Sequence, residues 1–328
     1  MKPFVSICTP TFNRRPFIPM MISCFKNQSY PKDRIEWIII DDGTDKIEDL
    51  VSHIKQVKYF HYPEKMNLGK KRNEMHDKCS GDIIIYMDDD DYYPPTRISH
   101  AVETLLANPD AMCAGCSEMY IYFKHIEKMF QFGPYGPNHA TAASFAFRKE
   151  LLLTSRYDDN AAVAEESEFL KQYTVPFVQL DVLKTILVFS HIHNSFDKRQ
   201  MLQGQHKYIK MSEKKVTDFI KNDKYCWTFF LIEIDKLLEQ YDAGLPKYKP
   251  DVLIQMAELT VKRTNKMYDS KIMEMTRAHN EMTRAHNELI KENNELKIKF
   301  AHLENKLKEI ISKSIASKRM ADAKATEL

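Results

Sequence analysis

The first hundred residues alternate between short apolar runs and longer mixed stretches, and this alternation constrains the fold more than any other feature. Four runs rich in β-branched residues predict strands at Phe4–Cys8, Trp37–Ile40, Lys58–Tyr62 and Asp82–Met87. Mixed stretches at about 16–29, 45–55 and 67–79 lie between them and are typical of helices. Such alternation predicts an α/β fold with a mostly parallel central sheet flanked by helices.

Each predicted strand is followed by a polar segment that is rich in functional groups. These segments read "TPTFNRR", "DDGTD", "PEKMNLGKKRN" and "DDDDYYPP". Parallel strands end at the same edge of a sheet, and ligands of open α/β sheets bind beyond these carboxyl ends. The sequence therefore predicts one binding site where the four segments meet.

The segment "DDDDYYPP" places four aspartates, 88–91, directly after an apolar strand. Adjacent carboxylates repel each other, and each raises the cost of ionising its neighbours. A divalent cation with oxygen ligands would relieve that repulsion. An acidic turn or a calcium site would have the same composition, so the position at the predicted rim is what favours a functional metal site.

The same rim offers groups that could hold a nucleotide. Only eight glycines are present and no two have G-x-G spacing, so neither a dinucleotide fingerprint nor a P-loop is predicted. A phosphate would have to be neutralised by a metal or by Lys70, Lys71 and Arg72. The Asp41–Asp42 pair could accept hydrogen bonds from a nucleoside, and the Pro10–Phe12 stretch could provide an apolar face for a base.

Composition narrows the class of protein further. The net charge of the 328 residues is +2, which gives no general argument for binding nucleic acid. The sequence contains neither an apolar run long enough to span a bilayer nor the apolar core of a secretory signal. Six scattered cysteines, including "CAGC", form no disulfide framework and no zinc spacing. We therefore expect a soluble, cytoplasmic protein.

Four motifs, taken in order, resemble those of the family 2 nucleotide-sugar glycosyltransferases, which have the Rossmann-like GT-A fold. They are "VSICTPTFNR", "EWIIIDDGT", "NLGKKRN" and "IIYMDDDDYYPP". The resemblance is specific over roughly residues 3–110 and weaker to about 200. It implies an inverting transferase that uses a nucleotide diphosphate sugar, UDP-linked in our interpretation. The Q-x-x-R-W signature of processive members does not occur, which favours transfer of one sugar.

The resemblance also implies which side chains contact the donor. They are Pro10, Phe12, Asn13, Asp42, Asn67, Lys70, Arg72 and Asp89. Pro10, Phe12 and Asn13 would line the nucleoside pocket, and Asp42 would bind the base. Pro95 matches the proline that follows the family's metal motif.

The resemblance implies a metal site as well. Residues 88–90 match the family's D-x-D motif, so Asp88 and Asp90 are predicted to hold Mn²⁺ or Mg²⁺. "SHIHN" resembles a later metal or phosphate ligand, for which His193 is our choice and His191 the alternative. Both histidines are predicted to lie on the apolar strand that ends here, and because they alternate along it we expect them to point to the same side.

A catalytic base is implied by "AEESEFL", which resembles the family's E-D motif. Glu166 falls at the position of the base, with Glu165 as the alternative. The stretch "FQFGPYGPNHATAASF" is predicted to contribute to the binding of the acceptor, whose identity as glycan, protein or lipid the sequence leaves open.

The C-terminal tail has a different character, because apolar residues recur every seven positions. The d positions of this heptad pattern are Met275, Met282, Leu289, Leu296, Leu303 and Ile310. The a positions are Ile272, His279, His286, Asn293, Phe300 and Leu307. Six heptads with a polar Asn293 at a predict a two-stranded coiled coil and a homodimer, the alternative being one solvated helix.

The sequence thus predicts three regions and one leading function. The regions are a GT-A domain at 1–204, a helical extension at 205–265 and a coiled-coil tail at 266–328. The leading function is metal-dependent transfer of a sugar to an acceptor hydroxyl. A metal-dependent nucleotidyltransferase and a non-catalytic coiled-coil scaffold that retains the fold are the alternatives.

Overall fold

A computed structural model describes residues 2–195, 197–203 and 207–325. The chain forms two compact units, Met1–Glu258 and Leu259–Leu328. The first unit contains both sheets and all the predicted site residues. The second unit is helical over its described residues, 259–325. The boundaries that we predicted at 204/205 and 265/266 stay a prediction.

Eleven strands form two sheets. They are β1 (Val5–Thr11), β2 (Ile35–Asp41), β3 (Val57–His61), β4 (Ile83–Tyr86), β5 (Cys113–Gly115), β6 (Met119–Phe123), β7 (Lys128–Phe132), β8 (Ala146–Arg148), β9 (Phe177–Gln179), β10 (Val188–Ser190) and β11 (Ile209–Met211). The central sheet has the order β3-β2-β1-β4-β8-β5-β9, and the smaller sheet has the order β10-β6-β7-β11.

The central sheet is largely parallel. Strand β1 pairs in parallel with β2 and β4, and β2 pairs in parallel with β3. Strand β8 is antiparallel to both of its neighbours, β4 and β5. The four predicted strands are therefore confirmed as β1 to β4, and so is the α/β class with a mostly parallel sheet. Because these four strands run in the same direction, their polar C-terminal segments lie at one edge.

Nine α-helices accompany the strands in the described part of the chain. They are α1 (Ile18–Lys26), α2 (Glu48–Val51), α3 (Leu68–Lys78), α4 (Arg97–Ala107), α5 (Glu166–Phe169), α6 (Val216–Phe219), α7 (Lys224–Thr228), α8 (Ile234–Glu239) and α9 (Pro250–Ala325). Helices α1 to α3 lie within the three predicted stretches. Strand β11, by contrast, lies in a region that we expected to be helical.

Both faces of the central sheet are buried, which explains the continuous apolar runs of its strands. All seven residues of β2, "IEWIIID", are buried. Trp37 and Ile39 pack in one core cluster, while Ile38 and Ile40 pack in the cluster on the opposite face. The Trp37 ring stacks on Phe25 of α1 with 4.4 Å between ring centroids. Helices therefore cover this parallel sheet on both sides, as burial of alternate side chains requires.

Two further expectations concern the cysteines and the membrane. All six cysteines are buried and free, in keeping with the absence of a disulfide framework. Across residues 2–195, 197–203 and 207–325, no helix is both long and apolar enough to cross a bilayer.

The heptad residues all lie on α9. Their side chains are exposed within the single chain, as Leu296 at d (65%) and Phe300 at a (71%) illustrate. The coiled coil and the homodimer stay predictions, because one chain does not test them.

Candidate active site

A pocket lies at the carboxyl ends of β1 and β4 and receives residues from four other segments. We call it the rim pocket. Its lining includes Pro10, Phe12, Arg14, Lys71, Asp88 and Lys249. Pro10 lies near the end of β1, Phe12 and Arg14 follow that strand, and the four aspartates follow β4. Because β1 and β4 are neighbours in the central sheet, these residues lie at the same edge. Three of the four predicted polar segments contribute lining residues here, and Asp42 of the fourth, "DDGTD", contacts the lining residue Lys71.

The carboxylates of the four aspartates have different environments. Asp90 Oδ2 lies 3.1 Å from Arg14 Nη2 and 3.2 Å from His191 Nε2. Burial alone would raise the pKa of Asp90, but Arg14 and His191 outweigh it and hold that pKa well below its usual range. Burial and the charge of Asp90 raise the pKa of Asp91 well above its usual range. Asp90 is therefore the carboxylate of the group that is stabilised as an anion.

The other two aspartates are less well compensated. Asp89 Oδ1 lies 3.5 Å from Arg14 Nε, yet burial raises the pKa of Asp89 to about 7. Burial also raises the pKa of Asp88, against the charge of Arg72. Asp88 Oδ1 is buried and has no hydrogen-bond partner among the residues that the structure describes. An unpartnered carboxylate oxygen in a pocket is available to a cation.

Asp42 and Lys71 form a buried ion pair in the wall of the rim pocket. Asp42 accepts a hydrogen bond from Lys71 Nζ and another, of 2.6 Å, from the backbone N–H of Met66. Lys71 Nζ also donates to the carbonyl of Thr11 at 3.1 Å. Burial lowers the pKa of Lys71, against the charge of Asp42. Asp42 thus positions Lys71, and it is Lys71 that lines the pocket.

Other predicted donor residues lie beside the pocket. Asn13 has a left-handed backbone (φ 53°), and its side-chain oxygen accepts from the N–H groups of Thr44 and Asp45 at 2.7 and 2.9 Å. Lys70 is exposed, and Asn67 is the N-cap residue of α3. Asn13, Lys70 and Asn67 are not among the described residues that line the rim pocket.

The two candidate histidines do not share a strand face, so that expectation was wrong. Strand β10 ends at Ser190, and the histidines follow in a turn. His191 contacts Asp90, whereas the His193 ring lies 6.0 Å from the Tyr241 ring, measured between centroids. A Cβ atom built on Gly244 would come 2.5 Å from His193 Nδ1, so the ring is packed against that backbone. His191 is therefore the histidine next to the D-x-D segment.

The sequence did not point to Lys249. It lies just before α9, is 4% exposed, and lines the rim pocket. Its Nζ donates to the carbonyl of His193 at 3.4 Å, and Arg14 Nη1 donates to the same carbonyl. Burial and the charge of Arg14 lower the pKa of Lys249 well below its usual range. A sequence separation of 235 residues from Arg14 to Lys249 explains why no local pattern reveals this neighbour.

Arg72 connects the rim pocket to the two candidate bases. It lines the pocket, and its Nε donates to Glu165 Oε1 at 3.0 Å. Its guanidinium lies over the Tyr86 ring, 4.4 Å from the centroid. Both partners of this ion pair are buried, at 3% and 5% side-chain exposure. The Glu165 carboxylate is therefore held in a buried ion pair with Arg72.

Glu166, by contrast, forms no ion pair with any described residue. Burial and the neighbouring charge of Glu165 raise the pKa of Glu166 to about 7. A carboxylate with a pKa near neutrality can accept a proton far better than one with an ordinary pKa. Of the two candidates, Glu165 is paired with an arginine and Glu166 is not.

No group of three or more His, Cys, Asp or Glu side chains that could hold a metal occurs in the described residues. The predicted set of Asp88, Asp90 and His193 is therefore not assembled as a preformed cluster.

With this geometry established, comparison with known proteins identifies the class. Residues 6–151 match the family model described as "Glycosyl transferase family 2". This part of the chain is a family 2 glycosyltransferase domain, as the motifs predicted.

Two curated relatives are similar to about a third of this chain. An "Uncharacterized glycosyltransferase" of Haemophilus influenzae is 33% identical over 118 residues, which is 34% of this chain and 46% of the relative. The Campylobacter jejuni GalNAc(5)-diNAcBac-PP-undecaprenol beta-1,3-glucosyltransferase is 33% identical over 112 residues, 32% of this chain and 34% of the relative. The chain thus spans less than half the length of either relative.

A solved structure gives a more distant match. The S. aureus TarS fragment 1–349 in complex with UDP-GlcNAc has a TM-score of 0.48 and 18% identity, covering 63% of this chain and 62% of that chain.

Replacement of Arg72 by Met should destabilise the fold strongly. The change leaves Glu165 buried without its partner, and breaking a buried pair in this way costs about 3–5 kcal/mol in the free energy of unfolding. Urea unfolding of the purified protein measures the effect. Arg156→Met is the matched control, since it removes an exposed pair with Asp77 (3.2 Å) and should cost about 0–1 kcal/mol. Equal decreases in the free energy of unfolding of the two variants would show that the buried Arg72–Glu165 pair stabilises the fold no more than an exposed pair does.

Proposed function

We propose that the protein is an inverting glycosyltransferase that moves one sugar from a nucleotide diphosphate sugar, with UDP as the nucleotide, to an acceptor hydroxyl. The observation that carries the proposal is the unpaired Glu166, whose pKa is raised to about 7. It adjoins Glu165 in the sequence, and Glu165 is paired with Arg72, a lining residue of the rim pocket. The family 2 domain at residues 6–151 supports the reaction class. The six free, buried cysteines agree with a cytoplasmic location as part of this proposal.

The rim pocket has the groups that a nucleotide diphosphate requires. Phe12 presents an aromatic face, and the ammonium groups of Lys65 and Lys71 lie 5.6 and 5.9 Å from its centroid. Arg14 and Lys249 come from opposite ends of the sequence of the first unit and line the same pocket. The negative charge of a bound diphosphate would offset the lowered pKa of Lys249 and favour its ammonium form. We assign the base of the nucleotide to the Pro10–Phe12 side and the diphosphate to the cations, because charged donors bind phosphate oxygens strongly.

A divalent metal, Mn²⁺ or Mg²⁺, fits the carboxylates of the D-x-D segment. Asp88 Oδ1 is buried and, within the described chain, unpartnered, and carboxylate oxygens are the ligands that these hard cations prefer. Asp90 can join only by exchanging its contacts with Arg14 and His191 for the metal. When bound, such a metal neutralises charge on the diphosphate leaving group. His193, whose ring packs against Gly244, is not part of this proposal.

The chemical step follows from the positions of Glu166 and the cations. Glu166 takes the proton of the acceptor hydroxyl, and the hydroxyl oxygen forms a bond with the anomeric carbon. The bond from that carbon to the diphosphate oxygen breaks on the opposite face, and its electron pair leaves with the nucleoside diphosphate. Lys71, Lys249 and Arg14 stabilise the developing negative charge. Attack and departure on opposite faces invert the anomeric configuration.

Replacement of Glu166 by Gln should abolish most of the transfer while leaving donor binding intact. The amide keeps the volume of the side chain but cannot accept a proton, so turnover should fall by roughly 10²–10⁴-fold. Steady-state release of UDP from UDP-sugars measures turnover, and calorimetry measures donor affinity. Glu168→Gln is the matched control: Glu168 lies on the same short helix α5 but is exposed, so its variant should retain turnover. If Glu166→Gln turned over at the wild-type rate, Glu166 would not be the base.

Replacement of Lys249 by Met should weaken the binding of UDP. The change removes a buried cation from the rim pocket, and a hydrogen bond to a charged group contributes about 1.5–3 kcal/mol, which corresponds to roughly a ten- to hundredfold rise in Kd. Titration calorimetry with UDP measures it. Lys247→Met serves as the control, because Lys247 is exposed two residues away and should bind UDP as the wild type does. Unchanged affinity in Lys249→Met would place the diphosphate elsewhere.

We also propose that the chain forms a homodimer through a parallel coiled coil of α9. The d-position side chains are exposed in a single chain, so a second copy is needed to bury them. In a parallel pair, Glu292 at g would face Lys297 at e of the second copy, and Lys299 would face Glu304. Both contacts join opposite charges, and paired Asn293 side chains at a would satisfy each other.

Replacement of Leu296 by Lys should dissociate this dimer, because it places two like charges in the apolar seam. Light scattering of the full-length chain should give a dimer for the wild type and a monomer for the variant. Ile298→Lys is the matched control: Ile298 is as exposed as Leu296 (71% and 65%) but lies at an f position, outside the seam. A wild-type monomer would contradict the coiled coil.

A further inference from the structure

Four rings form a continuous row on the first unit, which we call the aromatic row (Tyr173, His139, Tyr135 and Tyr208). The distances between successive ring centroids are 5.1, 4.8 and 5.2 Å. We propose that the aromatic row is the acceptor site and that it binds a chain of sugars, whose end is presented to Glu166. The inference rests on the proposed transferase function and specifies its acceptor.

One end of the aromatic row lies at the proposed base. The backbone of Ala142, three residues after His139, lies near enough to the Glu166 carboxyl group to oppose the rise of its pKa. Tyr173 lies on a turn that folds back onto α5, where the N–H of Gln172 donates to the carbonyl of Ser167, the residue after Glu166, at 2.7 Å. Burial and the charge of Glu166 raise the pKa of the Tyr173 phenol. The two segments that carry the first rings therefore meet around the carboxyl group that accepts the proton.

The backbone that carries Tyr173 is strained. Lys171, Gln172 and Tyr173 are three consecutive left-handed residues, with φ of 50°, 57° and 63°. This conformation is unfavourable for every residue that is not glycine, because it brings Cβ too close to the following carbonyl oxygen. Hydrogen bonds from Gln172 N to Ser167 O (2.7 Å) and from Thr174 N to Leu170 O (3.0 Å) hold the turn. Strain of this kind persists where the surrounding structure enforces it, and it is concentrated at functional sites.

The segment that carries Tyr135 and His139 is held firmly in place. The N–H groups of Tyr135 and Gly136 donate to Ser117 Oγ at 2.8 and 2.9 Å. Gln179 Nε2 donates to the carbonyls of Pro137 and His139 at 2.7 and 3.0 Å. A segment fixed before the ligand arrives loses little conformational entropy on binding, which favours affinity.

The chemistry of the row suits sugars better than a lipid chain. Tyr135 and Tyr208 are 36% and 40% exposed, and a tyrosine presents an apolar ring together with a polar hydroxyl. A pyranose has the matching character, with an apolar C–H face and hydroxyl groups around its edge. Burial lowers the pKa of His139, which keeps this ring neutral and suited to an uncharged ligand. A row of four rings is longer than one pyranose, so it fits a chain.

Binding of glycans to the full-length protein tests the proposal without requiring turnover. The probes are linear tetrasaccharides of β-linked glucose, galactose and N-acetylglucosamine, observed by saturation-transfer NMR with UDP present. We expect at least one probe to bind through its ring C–H protons. Tyr135→Ala and Tyr208→Ala should each weaken that binding by roughly tenfold, the equivalent of about 1.4 kcal/mol. Tyr225→Ala, which removes an exposed tyrosine (51%) on α7, is the matched control and should bind normally.

The outcomes separate the acceptor site from the proposed function. Absence of binding by every probe, or an equal loss in Tyr225→Ala, would overturn the proposal. Binding of a polyprenyl phosphate in detergent micelles in place of the glycans would overturn it in favour of a lipid acceptor. Glycan binding that depends on Tyr135 and Tyr208 in a protein that fails to bind UDP would support the glycan site while contradicting the transferase. Melting temperatures of the variants within about 4–8 °C of the wild type confirm that each is folded.

Discussion

The site depends on how two buried arginines are shared among several buried carboxylates. Arg14 lies against Asp90 and Asp89, and Arg72 is paired with Glu165. A buried carboxylate without a cation is costly to ionise, so its pKa rises. The arginines therefore decide which groups are anions and which can exchange a proton. Glu166, left without a cation, acquires the pKa of about 7 that base catalysis at neutral pH requires.

Local sequence was sufficient to predict the α/β fold and the four parallel strands β1 to β4. Strands such as "EWIIID" are buried on both faces of the parallel sheet, so nearly all their residues are apolar. Such a continuous apolar run can be recognised as a strand from the sequence alone. The position of the site could be predicted in the same way, because parallel strands bring the polar segments at their carboxyl ends to one edge of the sheet. The Asp88–Asp91 segment is found there, at the end of β4.

Details of the site required contacts that the sequence does not reveal. Lys70 and Lys71 are neighbours, and only the packing of α3 determines that Lys71 faces the rim pocket while Lys70 is exposed. The histidines were misplaced because β10 ends one residue before His191. Lys249 enters the pocket from far along the chain, where no spacing rule applies.

The match to the family ends at residue 151, and several proposed groups lie beyond it. Glu166, Tyr173 and Lys249 belong to the rest of the first unit, which is therefore as important for the chemistry as the matched region. In this account the matched region supplies the donor pocket, and the later segments supply the base and the acceptor surface. That arrangement allows acceptors to differ among proteins that share the donor-binding motifs.

Measurement of the pKa of Glu166 shows whether this carboxyl group is poised to accept a proton at neutral pH. Glutamate labelled with ¹³C at the side-chain carboxyl, followed by NMR across pH 3 to 9, reports each carboxyl group, and the resonance absent from Glu166→Gln identifies the one in question. This resonance should titrate near 7, because burial and the charge of Glu165 disfavour the anion. Titration near the ordinary value of 4.5 would show that Glu166 is not poised as a base and would contradict the account.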